Sequence, residues 1–193
     1  SYEKIIQDFD SQKINILIGT QMMSKGLDFY NVGLVLVLNA DTHLNFPDFR
    51  SFEKTYQVLT QVAGRSGRNQ KGQVIIQTFN PGLQVIQDVL RKDFQSFYES
   101  QIKERQEYRY PPFFQLVRID FFHPKKNILN KISSHFSEEL KGSLDLQVAH
   151  ILGPEFPVIE KITNNYIKSI LIKINKSYKQ RAHTLSCLKK YYL

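Results

Sequence analysis

Only one cysteine, Cys187, occurs in the 193 residues. An internal disulfide and a cysteine-built zinc site are therefore excluded, and the thiol reads as a small apolar side chain. No run approaches the roughly 18 apolar residues that a membrane-spanning helix needs, and no signal-peptide pattern starts at Ser1. A cytoplasmic protein without membrane contact is the expectation. The histidines, His43, His123, His135, His150 and His183, show no ligand spacing, so no metal site is expected. The chain also lacks a G-x-x-x-x-G-K-S/T loop and a strand-borne acidic box for Mg²⁺, so it has no triphosphate cradle of its own. Acidic residues are scarce in one half. Residues 1–100 hold ten Lys/Arg against ten Asp/Glu, and residues 101–193 hold sixteen against eight. The whole excess of +8 thus lies in the second half, the asymmetry expected of nucleic-acid contact.

What is present is concentrated in residues 60–68, TQVAGRSGR, where Gln61, Gly64, Arg65, Gly67 and Arg68 follow the spacing Q-x-x-G-R-x-G-R. Glycines beside arginines let the backbone approach a ligand while guanidinium forks meet phosphate oxygens bidentately. Two Arg-Gly pairs alone are a weak signal, and a basic helix end would look the same.

Other stretches flank them. The run 60–68 resembles motif VI of superfamily 2 helicases, and ILIGTQMMSKGLDF (16–29) resembles motif V in the form carried by the bacterial replication-restart DNA helicases of that superfamily. Residues 36–61, YPPF (110–113) and LGPEFP (152–157) are similar to the same family, so the likeness covers nearly the whole chain. It implies an α/β protein: residues 1–107 as the C-terminal part of a RecA-like lobe with a parallel sheet, and residues 108–193 as a ferredoxin-like α+β domain. By resemblance Arg65 and Arg68 reach the ATP γ-phosphate; the residues themselves do not say which is the finger, and family position favours Arg68 with Arg65 its companion. Gly26, Asp28, Gln61, Gly64 and Gly67 face the nucleotide, and Thr20, Gln21, Lys25 and Arg50 face DNA. ATP and Mg²⁺ would be held mainly by a first lobe outside this chain. The family's zinc module, too, is ligated by cysteines that this chain does not contain. Forked or single-stranded DNA, primosome proteins and single-strand-binding proteins are the implied partners. The chain departs from the family at Glu53-Lys54, where Glu-Arg is usual; a lysine keeps the charge and loses the planar fork.

Periodicity places the elements. Ile5, Ile6 and Phe9 suggest a short helix feeding a strand over Ile14–Ile18, and 32–41 reads as a central parallel strand buried on both faces. Phe52, Tyr56, Leu59 and Val62 share one helical face. Val74 to Thr78 forms a strand, with Gln77 and Thr78 at its cleft end, and 83–107 is helical with an interruption at Asp93. Tyr110-Pro111-Pro112-Phe113 turns the chain, placing a domain edge near residue 108. Beyond it the order is β, α, β, β, α. The strand 115–122 comes first, then a helix 126–142 with Ile128, Ile132, Phe136 and Leu140 inward. A strand stopped by Gly153-Pro154 follows, then a hairpin turning at Asn164-Asn165, and a last helix over 177–192. Ile170, Ile172 and Ile174 share the buried parity, which puts Lys173 outward; with Lys161, Lys168 and Lys176 it is a candidate to track a DNA backbone. The family tail adds a strand that this chain does not show after Tyr191-Tyr192-Leu193, so an open sheet edge is expected. The alternative to a helicase fragment is a non-enzymatic nucleic-acid-binding module whose arginine pair grips phosphate.

Overall fold

The computed structural model describes residues 2–20, 32–64, 72–144 and 149–176, together with Ala182, Thr184 and Ser186. Contacts divide the chain into two units, Ser1–Gln101 and Ile102–Leu193.

The first unit starts with helix α1 (Tyr2–Asp10), amphipathic as its spacing predicts, although none of its residues is buried. The strand expected over Ile14–Ile18 does not form; this stretch is irregular, with Ile16 76% and Ile18 87% exposed. β-branched residues favour extended backbone, but a strand also needs a ladder partner, and no described strand pairs with these residues. Strands β1 (Leu34–Val37) and β2 (Gln73–Ile76) pair in parallel, Leu34 opposite Gln73 and Val37 opposite Ile76. Contrary to the expectation of burial on both faces, Leu34, Leu36 and Ile75 are exposed, and only the alternate residues turn inward. Onto that inward face pack helices α2 (Asp41–Leu44), α3 (Ser51–Ala63) and α4 (Gln84–Arg91), with α5 (Phe94–Glu107) after them. Tyr56, Leu59, Val85, Ile86, Val89 and Phe97 form the core, the Tyr56 and Phe97 rings stacked at 4.2 Å. The α3 face is as predicted; on α4, Leu90 points to solvent. The interruption at Asp93 is a helix boundary. Lys92 adopts φ 56°, and the Asp93 carboxylate caps α5 by accepting from the Ser96 N–H at 2.9 Å.

In the second unit the bend at Tyr110 leads into β3 (Phe114–His123), α6 (Lys126–Ser143), β4 (Ala149–Glu155), β5 (Lys161–Ile162) and β6 (Asn165–Asn175). The sheet order is β3-β6-β4 with β5 also on β6, and β6 is antiparallel to both flanking strands. β3 and β4 therefore run parallel, joined by α6. Ile170, Ile172 and Ile174 are fully buried on the predicted parity and meet Val117, Ile119, Phe136 and Leu140. Three details differ from the sequence pattern. The inward face of α6 runs through Leu129, Ser133, Ser137 and Leu140, leaving Ile132 exposed, because small serines let the helix lie close to the sheet. β4 continues through Gly153 instead of stopping there: Gly153 takes φ 91° at a register shift, and a Cβ would stand 2.7 Å from the Ser169 carbonyl oxygen. The hairpin turns one residue early, at Thr163 and Asn164, both with positive φ as a type I′ turn requires.

Candidate nucleotide and nucleic-acid surfaces

At the carboxyl ends of β1 and β2, where parallel sheets bind ligands, Asp41 organises the backbone. Its buried carboxylate accepts from Thr78 Oγ1 at 2.8 Å and from the Phe79 N–H at 3.0 Å, and the Ala40 N–H donates to the Gln77 carbonyl at 2.9 Å. Both carboxylate oxygens are thereby satisfied, as a buried charge requires. Asn39, Asp41, Gln77, Thr78 and Phe79 line a shallow concavity of about 210 Å³, beside which the Phe79 ring is 92% exposed. The strand stops at Ile76 and not at Thr78 as expected, so Gln77 and Thr78 lie just beyond it, and Thr78 is engaged in holding Asp41.

Asp48 is the second organising carboxylate. It accepts from the Arg50 N–H at 3.0 Å, from Arg50 Nε and Nη2 at 3.3 Å each, and from Lys54 Nζ at 2.7 Å. Burial alone raises its pKa, yet the hydrogen bonds from Lys54 and Arg50 and the Arg50 charge outweigh that and hold it far below the usual carboxylate range. The Ser51 hydroxyl fixes the same turn, donating to the carbonyls of Phe46 and Asp48. Arg50 therefore presents a positioned, exposed guanidinium. Lys54 makes a single-point contact to the same carboxylate.

Of the remaining sequence candidates in the first unit, Thr20 is exposed, Gln61 lies on the exposed face of the last turn of α3, and Gly64 ends that helix, its N–H on the Thr60 carbonyl at 3.0 Å. A Cβ at Gly64 would make ordinary contact, so the helix end itself does not demand glycine. Gln21, Lys25, Gly26, Asp28, Arg65, Gly67 and Arg68 lie outside the described residues. Among the described residues of this unit nothing forms a triphosphate cradle: both helix starts near the sheet end carry engaged carboxylates, Asp41 and Asp48.

In the second unit the four candidate lysines separate. Lys161 and Lys168 stand with Lys126 around the rings of Phe156 and Tyr166, and Lys176 is exposed. Lys173 does not face outward. It is 7% exposed, its ammonium donates to the Tyr108 carbonyl at 2.7 Å and lies 3.6 Å from the centre of the Tyr110 ring. The bend at 108–110 covers the sheet face that strand parity alone assigns to solvent, so Lys173 leaves the DNA-contact set and becomes a support of that bend. Arg109, at φ 59°, lies against the His150 imidazole, 2.6 Å from Nδ1. Burial, then the charges of Arg109 and Lys173, push the His150 pKa below its ordinary value; burial, then Arg109, do the same to Lys173. Sequence reasoning missed Lys126, Phe156 and Tyr166. The available signal was the two-residue spacing of Tyr166 and Lys168, which sets them on one strand face.

Comparison with known proteins follows the same division. The family model described as "Helicase conserved C-terminal domain" matches residues 2–70, and the one described as "Primosomal protein N C-terminal domain" matches residues 106–191. The chain is 41% identical over 191 residues to the replication restart protein PriA of Bacillus subtilis (strain 168), covering 98% of this chain and 23% of that protein. It is 36% identical over 174 residues to PriA of Borreliella burgdorferi, covering 90% of this chain and 26% of that protein. With PriA of Chlamydia pneumoniae the identity is 43% over 122 residues, 63% of this chain and 16% of that protein. The chain thus spans about a quarter or less of the length of these curated relatives. With helicase-lobe and primosomal matches in tandem and similarity to the Bacillus subtilis protein along 98% of this chain, the chain belongs to the PriA family and corresponds to the C-terminal portion of its members.

Proposed function

We propose that the intact protein is an ATP-dependent DNA helicase acting in replication restart, to which this chain contributes the motif V and VI face of the ATP site and a DNA-binding C-terminal unit. The observation that carries the reading is the similarity to PriA along 98% of the chain, with Q-x-x-G-R-x-G-R inside it. ATP and Mg²⁺ are held mainly by a lobe outside this chain. Bound there, the nucleotide supplies a phosphoryl group whose transfer to water is catalysed by positioning and charge. Arg68 stabilises the charge that develops on the γ-phosphoryl oxygens, and Arg65 also holds the ground-state phosphate. Gly26, Asp28, Gln61, Gly64 and Gly67 shape the nucleotide surface, while Thr20, Gln21, Lys25 and Arg50 meet the DNA backbone. In the second unit Lys161, Lys168 and Lys176 do the same. The β3-β6-β4 order supports a ferredoxin-like unit, whose closing strand would pair beside β3. Forked or single-stranded DNA, primosome proteins and single-strand-binding proteins are its partners in the cytoplasm.

The test uses Arg68→Ala and Arg65→Ala in the intact protein. Arg68→Ala lowers kcat for DNA-stimulated ATP hydrolysis by roughly 10³–10⁵ with nucleotide affinity nearly unchanged, and Arg65→Ala also raises KM. If Arg68→Ala weakens DNA binding and its salt slope but spares turnover at saturating DNA, the arginines grip phosphate and the finger assignment fails. The 193-residue chain alone shows no ATPase activity with DNA; turnover by it would contradict the assignment of the nucleotide cradle to another lobe.

A further inference from the structure

The face of β6 that packs against α6 changes character along its length. Ile170, Ile172 and Ile174 are buried, and the same face continues to Lys168 and Tyr166, beside β3 residues Phe121 and His123. Phe156, in the segment after β4, joins this end. Lys126 Nζ lies 4.4 Å from the Phe156 ring centre and 5.8 Å from that of Tyr166, so one ammonium serves both rings. Lys168 Nζ is 4.9 Å from the Phe156 centre, and Lys161 Nζ is 5.1 Å from the Tyr166 centre. A single carboxylate balances these three cations: Glu160 binds Lys126 at 2.8 Å, and no described carboxylate pairs with Lys161 or Lys168. α6 begins at the same place without an acidic residue in its first turn, its N-cap position being Lys125. The local field is therefore positive from both side chains and helix start.

We infer that Phe156 and Tyr166, framed by Lys126, Lys161 and Lys168, form a stacking platform for unpaired bases of single-stranded DNA. This rests on the reading of the second unit as DNA-binding and assigns the part of it that engages bases. Two aromatic rings among three lysines that share one carboxylate match a polyanion that carries planar bases. A duplex hides its base faces in the stack and offers only backbone and groove edges, on which a ring cannot stack. Each ring now holds a lysine ammonium over it, an exposed cation–π contact and a weak one. On binding, the base takes the ring face and the displaced ammonium moves to the adjacent phosphate, so one weak contact is exchanged for a stack and a charge-assisted contact. The lysines supply affinity that depends on salt. The rings supply the preference for unpaired strands.

The probe is a fluorescein-labelled 15-mer of thymidylate, titrated with the 193-residue chain at several salt concentrations, folding being checked by circular dichroism. The double variant Phe156→Leu/Tyr166→Leu keeps apolar bulk and weakens binding about tenfold with the salt slope unchanged. The triple variant Lys126→Gln/Lys161→Gln/Lys168→Gln reduces the slope of log K against log salt by about 2. Because the sequence contains no tryptophan, Tyr166→Trp introduces a single reporter close to the native shape. Its fluorescence is quenched by the thymidylate 15-mer and not by an abasic 15-mer, and this variant decides the matter if the leucine variants fail to fold. Unchanged affinity in the aromatic double variant, or equal affinity for the abasic strand, overturns the platform while leaving DNA binding by this unit intact. No binding of the 15-mer by the unaltered chain at low salt overturns that reading and the platform together.

Discussion

The two sheets bury the same kinds of residue to opposite degrees. β6 has a neighbour on each side and α6 across one face, and its Ile170, Ile172 and Ile174 are wholly buried. β1 and β2 are covered by helices on one face, while the other shows Leu34, Leu36 and Ile75 to solvent, with Leu38 just beyond β1. Sequence composition does not separate these strands. What separates them is how many layers are present, since a parallel sheet in an α/β protein is ordinarily covered on both faces. The second unit closes its own core; the first presents an apolar sheet face of the kind that a further layer covers.

The sharpest test of this contrast is truncation on the two sheets. Ile172→Ala, in a site with no exposure, costs about 2–5 kcal/mol. Leu36→Ala, at a position 52% exposed, costs less than about 1 kcal/mol in this chain. Urea denaturation followed by circular dichroism measures both, and equal costs would mean that the exposed face is packed in solution.

A smaller effect concerns how each unit holds its turns by charge. In the first unit Asp41 ties the ends of β1 and β2 together through Thr78 and the Phe79 N–H. Asp41→Ala leaves that N–H and the Thr78 hydroxyl without their acceptor and costs about 2–3 kcal/mol. In the second unit Lys173 has the corresponding role at the 108–110 bend. Lys173→Met keeps the stem and removes the bond to Tyr108 and the cation over Tyr110, but also removes the cost of desolvating the ammonium, so the net loss is about 1–2 kcal/mol. Hydrogen exchange at residues 78–80 and 108–114 reports each loss locally. A Lys173→Met chain more stable than the unaltered one would show that desolvating the ammonium costs more than its two contacts return.

The fold is legible where one period governs one face. The phase of α3 through Tyr56 and Leu59, and the parity of Ile170, Ile172 and Ile174, follow from spacing alone. It is illegible where burial depends on something distant in sequence. Lys173 sits on the parity that faces water until the 108–110 bend folds over it, and Ile14–Ile18 has strand composition without a described ladder partner. Ser133 and Ser137 escape a reading by hydropathy, which counts them as surface, although their small size is what seats α6. At the candidate sites, the arginines at 65 and 68 are recognisable only through the order of motifs around them. Lys161 and Lys168 are visible from charge, and the rings between them are not, because a charge count does not see aromatic neighbours.

Acid should separate the two units, and the sign follows from two residues. Asp48 in the first unit has its folded pKa far below the ordinary 3.8, so its contribution is complete above 3.8, shrinks progressively as pH falls below 3.8 and is gone below that much lower folded value. His150 in the second unit has its folded pKa below 6.5. The unfolded chain therefore binds the proton first: there is no penalty above pH 6.5, it grows as pH falls from 6.5 towards the folded value, and it is complete below that value. Protonating His150 also places its charge against the Arg109 guanidinium and the Lys173 ammonium. As pH falls below 6.5 the second unit should lose hydrogen-exchange protection while the turn at Asp48, as long as the pH stays above 3.8, keeps its own. His150→Gln retains an acceptor for Arg109 and removes the proton, so it should flatten this dependence. In Lys173→Met one of the causes is gone, and the His150 titration, followed by its imidazole NMR signals, should move up towards 6.5. If the first unit opens before the second in mild acid, or if His150→Gln leaves the profile unchanged, the cationic cluster at the bend is not what makes the second unit acid-sensitive.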